Sequence, residues 1–100
     1  MLEYQYKPLA KDIAYRILRV SLQKSKDNEY IFTMADYNKY KIIPVDLDKR
    51  MLEAILEEIS TTYRNEVVCL FYDIENVNNF WVHITFSENC TAEDLRNARY

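Results

Sequence analysis

The chain has 100 residues, 49% of them apolar, 14% aromatic and 29% charged, and a formal net charge of −3. That length forms one domain, residues 1–100, able to bury somewhat over half of its unfolded surface without metal or disulfide staples. The composition excludes a disordered chain, no apolar run approaches the roughly 20 residues of a bilayer span, and the charged opening MLEYQYKPLAKD is not of signal-peptide type, so a cytoplasmic protein without membrane contact is expected.

Glycine is absent. This excludes the phosphate cradles and nucleophile elbows that depend on glycine, namely the Walker A loop, GxGxxG and GxSxG. Turns must fall to Asn and Asp, which tolerate left-handed backbone better than other side chains; they cluster at 27–28, 36–38, 65 and 76–79. Cys69 and Cys90 have no CxxC or Cys/His ligand spacing around them, so both are expected as reduced thiols. The charge is unevenly spread: residues 1–26 hold six Lys/Arg against two acids, and residues 27–100 hold seven against fourteen. A bulk polyanion binder is thereby disfavoured, while one basic face is allowed.

In chain order, Leu2, Tyr4 and Tyr6 alternate with Glu3, Gln5 and Lys7, a period-2 pattern that predicts a short edge strand. Pro8 suits the first turn of a helix, where its missing N–H is no loss. Over residues 9–24 the apolar positions Leu9, Ala10, Ile13, Ala14, Ile17, Leu18, Val20 and Leu22 span more than half of a helical wheel. EYIFTMA and KYKIIPV then read as a hairpin turning across Asp36 to Asn38, with Pro44 at a strand end. A second helix is predicted over about residues 47–63, capped by Asp46 or Asp48, with one stripe formed by Met51, Leu52, Ile55, Leu56, Ile59 and Tyr63. EVVCLFYDI and NFWVHITF form a second hairpin. Thr91 with Asp94 resembles a capping box, which starts a short helix at Ala92.

This order suggests an internal repeat, with Asn28, Glu29 and Asp36 matching Asn65, Glu66 and Asp73. The expected fold is a two-layer α+β sandwich: two αββ units giving a four-stranded, mainly antiparallel sheet with the helices on one face. The alternative is a ferredoxin-like βαββαβ arrangement plus an extra strand, which needs the leading strand.

Along the last strand Phe80, Val82, Ile84 and Phe86 point one way and Trp81, His83 and Thr85 the other. A catalytic His needs an orienting carboxylate and a nucleophile or bound water within reach. Asp73 and Glu75 lie near the hairpin tip, too far from mid-strand His83, so neither a catalytic constellation nor a hydrolase built on these three is expected. Asp73, Glu75 and Asn79 alternate as oxygen ligands do, yet lack the glycine turn and closing glutamate of a calcium loop. No metal or cofactor is therefore expected, and these are read as turn residues.

EVVCLFYDI is apolar on both alternating sets, which demands cover on both faces. The outer face of the hairpin, with Trp81 as anchor and His83, Tyr72 and Leu70 beside it, is thus the expected partner-binding surface. The expected function is that of a small non-enzymatic protein-binding regulator, of inhibitor, immunity, adaptor or chaperone type, engaging a protein partner or a second copy as a homodimer. The alternative is nucleic-acid binding by the basic face of the first helix, through Lys11, Tyr15, Arg16 and Arg19.

Overall fold

The first helix is longer than its apolar arc suggests. In the computed structural model, which describes residues 2–40 and 47–99 with side chains from Lys7 onward, α1 runs unbroken over Leu2–Lys24 with Pro8 inside it. The edge strand expected at residues 2–6 is therefore helix. Three alternating pairs are too short to exclude helical spacing, which Leu2, Tyr6 and Leu9 also satisfy, and the intervening Glu, Gln and Lys favour helix over strand. Without that strand the ferredoxin-like arrangement loses its first element.

Asp27 and Asn28, at φ of 53° and 67°, turn the chain into β1, Glu29–Thr33. The Asn/Asp substitute for glycine thus works where expected here, and Asn89, at φ 64°, supplies a third such position that the pattern did not mark. The turn expected over Asp36 to Asn38 is instead part of α2, Met34–Lys39. Thr33 initiates it through a capping box: its hydroxyl accepts from Asp36 N, and the Asp36 carboxylate accepts from Thr33 N at 3.0 Å. Of the arm KYKIIPV, the second strand expected in chain order, Lys39 and Tyr40 close this helix, and the remaining residues 41–45 lie outside the described residues.

Asp48 caps α3, Lys49–Thr62, by accepting from Met51 N at 2.7 Å. Next come β2, Val67–Asp73, a single 3₁₀ turn at Val77–Asn79, and β3, Trp81–Phe86. The chain ends in α4, Ala92–Arg99, entered through the expected box: Thr91 N donates to Asp94 at 2.9 Å and Asp94 N to the Thr91 hydroxyl at 3.2 Å. The described residues form a small mixed α+β domain with four helices and a three-stranded antiparallel sheet in the order β1-β3-β2. Both halves begin as helix then strand, after which the chain turns into α2 in the first and into a hairpin with β3 in the second.

Alternation along β3 follows the sequence pattern. Phe80, Val82, Ile84 and Phe86 are buried in one core with Phe32 of β1, Val67 of β2, Ile13, Ile17 and Leu18 of α1, and Ile55 and Ile59 of α3. Along β2 the alternation breaks. Val67 pairs with Phe86 and Cys69 with Thr85, so Val68 is one residue extra, a β-bulge. Before the bulge the odd residue faces the core, and after it the even ones do. The bulge explains part of the two-sided apolar reading: one face is simply read in two phases.

Candidate functional site

The face of the sheet opposite the core is built from three cross-strand rows. Ile31, His83 and Phe71 lie directly across from one another, flanked by Thr33, Trp81 and Asp73 on one side and Glu29, Thr85 and Cys69 on the other. Three of the large apolar side chains here are exposed: Phe71 by 61%, Ile31 by 51% and Trp81 by 39%. Directly paired side chains on one sheet face sit within about 5 Å of each other at Cβ, so Ile31 and Phe71 bracket His83 as one patch.

His83 has an acidic partner, supplied by β1. Its Nε2 lies 2.7 Å from Oε1 of Glu29, which is set diagonally because Glu29 pairs with Thr85. The β1–β3 register, which puts Glu29 here, is a long-range pairing without a local signal in the sequence. Asp73 lies one row from His83 on the same face, but its carboxylate turns to its own loop and accepts from Glu75 N at 3.1 Å, while Glu75 reaches Lys49 at 3.5 Å. Among the described residues no group of three His, Cys, Asp or Glu could hold a metal ion.

Of the four expected partner-binding residues, the structure brings two together and separates two. Trp81 and His83 share the open face. Leu70 pairs with Ile84 and Tyr72 with Val82, which places both on the opposite side. Leu70 packs against the core, and Tyr72 lines a groove between α3 and β2 together with Glu53, Glu57 and Glu75. The register after the bulge is the reason. Ile31 and Phe71 stand beside His83 in their place.

The basic helix face is arranged differently from a row of solvated cations. Lys11 pairs with Glu58 of α3 at 3.6 Å, away from the others. Arg16 Nε lies 3.5 Å from Asp12, which also accepts from Arg99 of α4 at 3.2 Å. Arg19 donates to the Tyr15 hydroxyl at 2.8 Å, and the guanidinium of Arg99 lies 4.4 Å from the centroid of the Tyr15 ring. These groups and Tyr40 line a cavity of about 380 Å³. Arg99, eighty positions from Arg19 in the chain, is brought in by α4, whose buried Leu95 packs in the common core.

Four described groups have shifted acidities, Tyr37 among them, raised by burial. Burial, then the bond that the Tyr30 hydroxyl donates to Asp36 at 2.9 Å, pushes that phenol up to about 12. Burial pushes Tyr63 up to about 12 as well, against the opposing charge of Arg99. Cys90 is raised by burial and by the carboxylates of Asp94 and Glu66, so it is a poor nucleophile. It and Cys69 are unbridged thiols. No helix among the described residues is long and apolar enough to cross a membrane. No protein-family model, curated protein or solved structure matches the chain.

Proposed function

We propose that this chain is a small, cytoplasmic, non-enzymatic regulator that acts by binding another protein on the open face of its sheet, with Trp81 and Phe71 as anchors. The observation that supports this reading is the exposure of Ile31, Phe71 and Trp81 together on one face, while the other face carries the core side chains and leaves Tyr72 exposed at its edge. Contiguous exposed apolar surface rimmed by polar groups is characteristic of interaction sites. The rim here is acidic, Glu29 and Asp73, and the nine strand positions of this face include no Lys or Arg. The complementary partner presents an apolar surface edged with cations. Single-stranded nucleic acid also stacks on aromatic sheet faces, but requires cations beside the rings, which argues for protein here.

Recovery of the partner from source-cell lysate, with nuclease present, tests the reading. Trp81→Ala and Phe71→Ala are each expected to weaken capture of a single stoichiometric protein by about 2 kcal/mol, or about 30-fold. Tyr72→Ala, on the opposite face, is expected to leave affinity within about 0.5 kcal/mol. Equal losses from Tyr72→Ala, or capture that nuclease abolishes, would remove the assignment. The alternative of nucleic-acid binding along the first helix is weaker, because Lys11 pairs with Glu58 apart from Arg16 and Arg19, so the face is not the continuous row of cations that tracks a strand's backbone. It requires affinity that falls steeply with salt.

A further inference from the structure

The cavity between α1, α4 and Tyr40 gathers cations in a protein that is acidic overall. Arg16, Arg19 and Arg99 line it against a single lining carboxylate, Asp12. Two more cations stand at Tyr40, with Lys24 and Lys39 Nζ at 5.9 and 5.4 Å from its ring centroid. Three lining cations to one lining acid concentrate positive potential at one concave site, while the whole chain carries −3.

We propose that this cavity binds a small phosphate-bearing molecule, with the phosphate held by Arg16 and Arg19 and Tyr40 forming one wall for the rest of the ligand. Three observations combine. The volume of about 380 Å³ lies in the range of small-ligand pockets, roughly 300 to 1,000 Å³, and is too small for a folded partner. The guanidinium groups are positioned before any ligand arrives: Tyr15 holds Arg19 through its hydroxyl and faces Arg99 with its ring, while Asp12 bridges Arg16 and Arg99. Such positioning lowers the ordering cost of binding. A guanidinium carries five N–H donors in a planar fork matched to phosphate. Arg16 turns Nε to Asp12 and Arg19 turns one Nη to Tyr15, so each keeps donors for a ligand. Asp12 limits the net charge and disfavours diffuse polyanion binding over a compact dianion.

The test is a chemical-shift titration at low salt with inorganic phosphate, adenosine 5′-monophosphate, adenosine, and a short DNA strand lacking terminal phosphates. Saturable binding of the phosphate-bearing ligands, at a dissociation constant no weaker than about 1 mM, is expected, with shifts at Tyr15, Arg19 and Tyr40 and none from adenosine. Preference for the nucleotide over inorganic phosphate would identify a nucleotide as the source, and equal binding would identify free phosphate; either supports the site. Arg16→Gln and Arg19→Gln are each expected to weaken binding at least about tenfold. Lys11→Gln, on the same helix outside the cavity, should leave it unchanged. No saturable binding, an equal loss in Lys11→Gln, or tighter binding of the DNA strand than of the phosphate-bearing small molecules would each overturn the proposal.

Discussion

Ser21 is fully buried on α1, and its hydroxyl has no hydrogen-bond partner among the described residues. A buried unsatisfied hydroxyl costs about 1 to 3 kcal/mol, and Ala is the better helix former. Ser21→Ala is therefore expected to raise stability by about 1 kcal/mol, seen as a higher urea midpoint at unchanged slope. Tyr63 carries a prediction in alkali. Its phenol is held near 12 in the fold, against an ordinary value near 10, so between these pH values the unfolded chain binds fewer protons than the folded one. Its contribution is intact below about pH 10 and is lost progressively up to about pH 12, by roughly 2 kcal/mol in all. Tyr63→Phe should lessen the slope of that part of the stability profile, with Tyr30 carrying part of what is left, and a profile equally steep in the variant would show that Tyr63 does not contribute. At the residue scale the sequence was informative wherever chemistry is local. Asp48 and Thr91 announce helix starts, and Asp27-Asn28 announce a tight turn, because a cap or a left-handed turn is made within a few residues.

At the scale of elements, local signals were read correctly for α3, β3 and α4, and misread where a short pattern admits two periods. Residues 2–6 satisfy alternation and helical spacing alike, and the helix that follows decides between them. The capping box of Thr33 and Asp36 was visible as T-x-x-D, but an adjoining apolar run made it look like a hairpin. In β2, alternation read across Val68 assigns Leu70 and Tyr72 to the wrong face, since a bulge changes phase without a marker of its own. The bulge has a testable consequence. Deleting Val68 restores a regular ladder with every other side chain on its present face, so stability should change by no more than about 1 kcal/mol. Deleting Phe71 sends Asp73 to the core side and Tyr72 to the open face, and should cost more than about 3 kcal/mol or unfold the chain. Denaturant midpoints of the two deletions distinguish these outcomes, and equal effects would mean that Val68 is not the extra residue.

For the whole molecule, the apolar surplus noted in the sequence divides in two. The wide arc of α1 is satisfied within the chain, by α3, β1 and α4, the last bringing Leu95 into the core and Arg99 to the cavity. The surplus on the sheet is not: Ile31, Phe71 and Trp81 stay exposed. An apolar surplus on the sheet was thus legible, while the members of the patch were not, because Ile31 and Glu29 reach His83 only through the non-local pairing of β1 with β3. Trp81 is the single tryptophan, so its fluorescence reports on this face alone. The most direct measurement is acrylamide quenching of Trp81 in the dilute chain, checked for monomer by sedimentation and repeated with rising concentration and with partner present. An open docking face predicts ready quenching in the dilute monomer and protection only when a partner or a second copy binds. A Trp81 already protected in the dilute monomer would contradict it, since the chain would then be covering that face itself.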